Sequence, residues 1–181
     1  MLIRVLGHVA VVALCTASLV QIARPTVPRL LYNPSPSAPI GWYSLRPDEV
    51  VKRDDLVAAQ LPAEGAALVS ERRYLPQNIP LIKTVWAVAG KEICHTNGQV
   101  LVEGRPPLIV LKHDALGRAL PSRSGCYRLA KDEVFLASND VQTSFDSRYF
   151  GPVKREFLLG RVKYLGRLKR RSERRKAGRG G

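Results

Sequence analysis

Histidine and cysteine are scarce. The chain holds three of each in 181 residues, with no CxxC and no Cys/His cluster. A structural zinc takes four such ligands at close spacing, so the composition argues against a zinc site. No internal repeat is present, and no long amphipathic helical pattern runs through the middle of the chain. Acidic residues are few, 15 against 29 Lys and Arg, which leaves a net charge of +14. Half of that excess sits in the last 15 residues, where eight Lys/Arg face one Glu. The basic balance is therefore in large part the property of a tail, and not of a whole DNA-reading surface. Hydrophobic residues make up 45% of the chain, so a folded domain is expected and general disorder is not.

Residues 5–22, VLGHVAVVALCTASLVQI, lack Asp, Glu, Lys and Arg altogether. The run is at the short end for a membrane-spanning helix. A cleaved signal peptide, with Arg4 as its charged start, and a buried core helix are the other two readings. Segment 1–23 is thus expected to be an N-terminal membrane anchor or signal segment. A folded domain would occupy 24–166, and 167–181 would be a basic disordered tail.

What the domain does have is short apolar runs between Gly, Pro and Asn signals. Strands are expected over 42–45, 56–61, 80–89, 99–103, 108–112, 126–129 and 134–137. Asn97-Gly98 is a hairpin signal between Ile93 and Val100. Pro25, Pro28, Pro34, Pro36 and Pro39 exclude a helix over that stretch and leave extended, turning chain. The fold class is mainly β.

Cys94 and Cys126 lie inside the domain and can pair, which would imply an oxidising compartment. A bridge across that loop would stabilise by roughly 3–4 kcal/mol on the chain-entropy account. Two reduced thiols acting as small buried hydrophobes are the alternative.

Three segments carry polar chemistry. The first is Lys83, in the almost wholly apolar run Pro-Leu-Ile-Lys-Thr-Val-Trp-Ala-Val-Ala from position 80. A strand apolar on both faces is usually buried on both. Lys83 would share a face with Leu81 and Val85 and be desolvated there, which lowers its pKa from about 10.4. A neutral amine can serve as a general base. A lysine at a strand edge that snorkels to water is the bland alternative. The second is Ser37, set between Pro36 and Pro39, with Gly41 beyond and Ser35 one hydroxyl upstream. The prolines hold the turn that presents the hydroxyl, and Gly41 permits close or positive-φ backbone. By composition alone the same stretch reads as a Pro/Ser linker. The third is the polar loop 138–153, which holds Ser144, Asp146 and Arg148. It can orient a neutral lysine, or it can be a turn with a surface ion pair.

Together the three segments resemble the signal peptidase family that uses a Ser/Lys dyad. Ser37 with Pro39, Gly41 and Tyr43 resembles the nucleophile box in its conjugation-type form, Asn-x-x-x-Ser-x-Pro-x-Gly-x-Tyr, with Asn33 at its head. Leu81-Ile82-Lys83-x-Val85 with Gly90 resembles the lysine box. Ser144-Phe145-Asp146-Ser147-Arg148 with Gly151 resembles the terminal Ser-x-Asp-Ser-Arg-x-x-Gly box. The likeness covers about 30–166, in matching order. The chain departs from the pattern at Thr84, at Ala89-Gly90-Lys91 and at Ser138-Asn139-Asp140. It is compact, without the large inserted domain of general signal peptidases, as in the conjugative branch of the family. Cys94 and Cys126 resemble that branch's paired cysteines.

The resemblance implies a signal-peptidase-like β core behind one N-terminal transmembrane helix. Ser37 would attack the scissile carbonyl and Lys83 would take its proton. The Ser37 N–H, with the Ser35 hydroxyl, would hold the oxyanion, and Ser144, Asp146 and Arg148 would support the lysine. No cofactor, metal or nucleotide is implied. The expected partners are a pilin-type protein precursor and membrane lipid, with no nucleic acid. The expected place is the inner membrane, with the catalytic domain on the periplasmic side. The rival readings are a general type I signal peptidase and a non-catalytic anchored β domain with a basic binding tail. A self-cleaving repressor is disfavoured, because an apolar N-terminus stands where a DNA-reading helix pair would be needed.

Overall fold

The apolar runs fold as strands of two antiparallel sheets. The computed structural model describes residues 29–74, 79–138 and 141–167. The strands are β1 (Leu30–Asn33), β2 (Gly41–Arg46), β3 (Leu56–Ala59), β4 (Leu81–Val88), β5 (Glu92–Thr96), β6 (Gln99–Val102), β7 (Leu108–Ile109), β8 (Gly125–Arg128), β9 (Glu133–Ala137), β10 (Val153–Lys154) and β11 (Leu158–Gly166). Among the described residues two α-helices join them, α1 (Ala63–Arg72) and the one-turn α2 (Ser147–Phe150). The larger sheet has seven strands in the order β1-β2-β11-β3-β4-β9-β10, and the smaller has four, β7-β6-β5-β8. The chain is therefore mainly β, as its turn signals predict.

β4 is the centre of the molecule. It lies between β3 and β9, and Leu81, Ile82, Lys83, Val85, Trp86 and Ala87 are all buried. Its two faces feed different cores. Ile82 packs with Leu31, Tyr43, Leu45, Ala58 and Val162. Leu81 and Val85 pack on the other side with Val57, Val134, Leu136, Phe150 and Val153. A register shift against β9 between Val85 and Ala87 then turns the strand. Trp86 and Ala87 meet Ile93, Val100 and Leu108 of the small sheet. Each such apolar side chain contributes about 1.5–3 kcal/mol on full burial.

The small sheet follows its turn chemistry. Asn97 (φ 47°) and Gly98 (φ 73°) form the two-residue loop of the β5–β6 hairpin, with Thr96 opposite Gln99. Both positive angles belong to the turn that matches strand twist. Cys94 lies directly opposite Cys126 on β8, and the two sulfurs are bonded at 2.09 Å.

Several expectations needed correction. The expected strand over 108–112 is only the two residues of β7, because the chain beyond leaves the sheet into a loop closed by the His113–Ala119 bridge. No helical pattern stood out in the sequence, yet α1 forms. Its AEGAALVSER run places few bulky apolar residues on the core side, and among them Val69 is buried. β11 likewise lacks a clear apolar alternation. Gly160, Arg161 and Lys163 interrupt its apolar pattern, yet it pairs with both β2 and β3. The segment 1–23 and the tail beyond Arg167 lie outside the described residues. Among the described residues no helix is long and apolar enough to cross a membrane.

Candidate active site

The Ser37 loop, residues 34–40, connects β1 to β2, whose register ends with Asn33 opposite Gly41. Gly41 has φ 149°, and a Cβ there would lie 2.5 Å from the Gly166 carbonyl oxygen, so the strand end accepts only glycine. The loop is held by side chains at its base. The buried Asn33 carboxamide donates from Nδ2 to the carbonyls of Ser35 (2.8 Å), Ala38 (3.0 Å) and Pro39 (3.2 Å). Its Oδ1 accepts from the Ser35 N–H at 3.1 Å. The Tyr43 hydroxyl donates to the Pro39 carbonyl at 2.6 Å, and Ser138 Oγ donates to the Ser37 carbonyl at 2.8 Å. A Pro/Ser linker would have none of these ties.

Lys83 arrives from β4, opposite Val57 of β3. Its side chain is 2% exposed, and Nζ donates to Ser37 Oγ at 2.6 Å. The snorkelling alternative is thereby set aside. Burial lowers the Lys83 pKa from the ordinary 10.5 to about 8; the Asp146 carboxylate opposes the shift and the Arg148 guanidinium adds to it. On the other side of Ser37, Ser35 Oγ lies 3.1 Å from Ser37 Oγ and accepts the Ser37 N–H at 3.3 Å. A hydroxyl and a backbone N–H thus converge beside the Ser37 oxygen.

The polar loop after β9 forms the wall behind the lysine. Asp146 caps α2 by accepting the Arg148 N–H at 3.2 Å, and Ser138 N–H donates to it at 3.1 Å. Arg148 clamps both carboxylate oxygens at 2.8 Å. It also donates to the carbonyls of Ser144 at 3.1 Å and Ile109 at 2.8 Å. The pair is fully buried, not the surface pair of the bland reading, so removing either partner would strand the other charge. Asp146 and Arg148 hold the loop and act on Lys83 only through their fields. Ser144 Oγ is buried and has no hydrogen-bond partner among the described residues.

These elements enclose a cavity of about 290 Å³, with Ser37 and Lys83 in its wall beside Ser35 and Ser144. Its far side is apolar and aromatic, from Val69 of α1, Leu81, Leu111, Leu120, Phe145 and Tyr149. Tyr74 and Asp114 close the rim, where the Tyr74 hydroxyl donates to Asp114 at 2.5 Å. Of the residues singled out in the sequence, Ser35, Ser37, Lys83 and Ser144 meet at this cavity, and Asp146 and Arg148 lie behind it. Cys94 and Cys126 belong to the small sheet instead. Sequence reasoning gave no separate role to Asn33 or Ser138. An Asn at a strand end before a Pro/Ser turn is a signal for Asx-type capping of the following backbone. Nothing local marks Ser138 or the cavity's far side. Among the described residues no group of His, Cys, Asp or Glu could hold a metal ion.

The site brings a serine hydroxyl against a buried lysine on a β scaffold, and the sequence matches one family of peptidases. The chain matches the family described as signal peptidase, peptidase S26, over residues 2–165, and it belongs to that family of serine peptidases. Its relatives narrow the placing. It is 34% identical over 137 residues to the plasmid transfer protein TraF of Escherichia coli, covering 70% of this chain and 77% of that one. It is 36% identical over 138 residues to the probable conjugal transfer protein TraF of Sinorhizobium fredii, covering 71% and 72%. To the conjugal transfer protein TraF of Agrobacterium tumefaciens it is 35% identical over 137 residues, covering 70% and 76%.

Proposed function

We propose that the protein is a membrane-anchored serine endopeptidase in which Ser37 is the nucleophile and Lys83 the general base. It would process an exported precursor, the pilin of a plasmid conjugation system, on the periplasmic side of the inner membrane. The observation that carries the reading is the 2.6 Å hydrogen bond between Lys83 Nζ and Ser37 Oγ in a desolvated site. The conjugative role rests on relatives named for plasmid and conjugal transfer. The anchor rests on the apolar segment 1–23.

In this reading neutral Lys83 takes the Ser37 proton as Oγ attacks the scissile carbonyl carbon. The oxyanion is held by the Ser37 N–H, which leaves its 3.3 Å bond to Ser35, and by the Ser35 hydroxyl. Collapse of the tetrahedral intermediate breaks the C–N bond, and the Lys83 ammonium gives its proton to the leaving amine. That leaves an ester on Ser37. Lys83, neutral again, deprotonates a water that attacks the ester; collapse breaks the Ser37 Oγ–C bond, the Lys83 ammonium returns its proton to Oγ, and the new carboxyl end is freed.

Mass spectrometry of the pilin precursor, co-expressed with and without this protein, tests the whole reading. One new cut is expected with the native chain and none with Ser37→Ala or Lys83→Ala. Because the two residues act as one unit, the double variant should be little worse than either single. Lys83→Arg should also be inactive, since arginine supplies no neutral base near pH 7. Substantial cleavage by any single variant would sink the dyad. Broad cleavage of unrelated secretory precursors would replace the conjugative substrate with a general one.

A further inference from the structure

We propose that Asn33 is a positioning residue for the reaction: its carboxamide folds the 34–40 loop so that the Ser37 hydroxyl meets Lys83. The inference rests on the Ser37/Lys83 reading given above. Four hydrogen bonds converge on this one side chain: three carbonyls on Nδ2 and one N–H on Oδ1. They bracket Ser37 on both sides in sequence, at Ser35 upstream and at Ala38 and Pro39 downstream. Three carbonyl oxygens pointing at one place would repel one another, and only a donor group between them keeps the loop closed. The buried amide supplies that donor, and its oxygen fixes the loop's first N–H.

The alternatives for holding the loop are weaker. Tyr43 reaches only the Pro39 carbonyl, downstream of Ser37, and Ser138 only the Ser37 carbonyl. Pro36 and Pro39 limit the torsions available to the turn but do not choose among its closed and open forms. Asn33 also sits at the end of β1, paired with Gly41, so the clamp is registered to the sheet that carries Lys83. A carboxylate in place of the amide keeps the shape and the acceptor but removes both donors. It would set negative charge among three carbonyls, and the loop would open.

The test uses the full chain in detergent. The substrate is a peptide spanning the junction that mass spectrometry finds in the pilin precursor. Asn33→Asp, Asn33→Ala and Tyr43→Phe are compared with the native chain, and turnover is normalised to the folded fraction seen by near-ultraviolet circular dichroism. For a nucleophile misplaced by about 1 Å the expected loss in kcat is about a hundredfold. Asn33→Asp and Asn33→Ala should both lose kcat on that scale with KM nearly unchanged, because neither touches the apolar end of the cavity. Tyr43→Phe should lose much less. A native kcat in folded Asn33→Asp, or a change confined to KM or to thermal stability, overturns the proposal. If instead Ser37→Ala or Lys83→Ala retains activity, the dyad reading itself has failed, and that outcome is recognised independently of Asn33.

Discussion

Replacing Lys83 by methionine should make the protein more stable at neutral pH while abolishing its proposed activity. The lysine is 2% exposed in the middle of the central strand, and burial lowers its pKa from the ordinary 10.5 to about 8. In the unfolded chain the amine keeps its proton until pH rises past 10.5. In the folded chain it gives the proton up near 8. Between those values the unfolded state binds more protons, so stability rises with pH across the window. Below pH 8 the full penalty applies. At roughly 1.4 kcal/mol per tenfold change in proton affinity, the site costs the fold about 3 kcal/mol at pH 7.

Methionine fills nearly the same volume without a charge and removes that penalty. It also gives up the hydrogen bond to Ser37 Oγ, worth about 1 kcal/mol. The net gain at pH 7 is about 2 kcal/mol, or roughly 4–8 °C in the thermal midpoint for a chain of this size. At pH 10.5 the amine is neutral in the folded chain and half neutral in the unfolded one, which leaves a penalty of only about 0.4 kcal/mol, less than the lost hydrogen bond. The variant should then be slightly less stable than the native chain. Paired thermal or urea unfolding of the two proteins in detergent at pH 7 and pH 10.5 reads the difference, in which all other titrations cancel. A gain of equal size at both pH values would trace to packing and not to charge. A loss at pH 7 would mean that the ammonium is solvated, and the argument for a neutral base would go with it.

The same shift sets the pH dependence of the reaction. kcat/KM for peptide cleavage should rise with pH along a single acid limb centred near pH 8, because Lys83 must be neutral, and flatten above it; a limb near 10 would contradict the buried base. With a pKa near 8 about a tenth of the sites are competent at pH 7, against well under ~0.1% for a solvated lysine. The Cys94→Ser/Cys126→Ser double variant should lose roughly 3–4 kcal/mol in urea unfolding. Its peptide turnover at 25 °C should be nearly native, since the bridge joins β5 to β8 in the small sheet, away from the cavity. A collapse of turnover in the folded double variant would show that the small sheet shapes the site.

The parts of the site that could be read from the sequence are those whose signal is local or anomalous. Lys83 stands out because one charge interrupts an apolar run, and the strand is indeed buried on both faces. Asn97-Gly98 declares its hairpin because both residues adopt positive φ at little cost. Ser37 stands out through its prolines and Gly41, and the structure supplies the reason for the glycine, its contact with the Gly166 carbonyl. α1 was not legible because a helix lying on the surface buries little and needs no apolar stripe. The cavity was not legible because its walls come from α1, α2, β4 and three loops that nothing in the local sequence links.

The distance between Ser37 and Lys83 is the least local feature of all. They are 46 residues apart, and their strands are not neighbours in the sheet: β11 and β3 stand between β2 and β4. Three inter-strand steps in a flat sheet would separate them by about 14 Å. The 2.6 Å contact therefore requires the sheet to twist and the 34–40 loop to fold back over β4. β11, which lies between them, has an irregular register: it slips against β3 between Leu158 and Gly160 and against β2 between Tyr164 and Gly166. At Gly160 a Cβ would lie 2.5 Å from Pro47 Cα, so the close approach of β11 to the chain after β2 depends on the bare backbone. The strand whose glycines and charges hide it from a reading of apolar periodicity is thus one of the two that stand between the serine loop and the lysine strand. Gly160, which helps to spoil the apolar pattern, is the residue that this close approach requires.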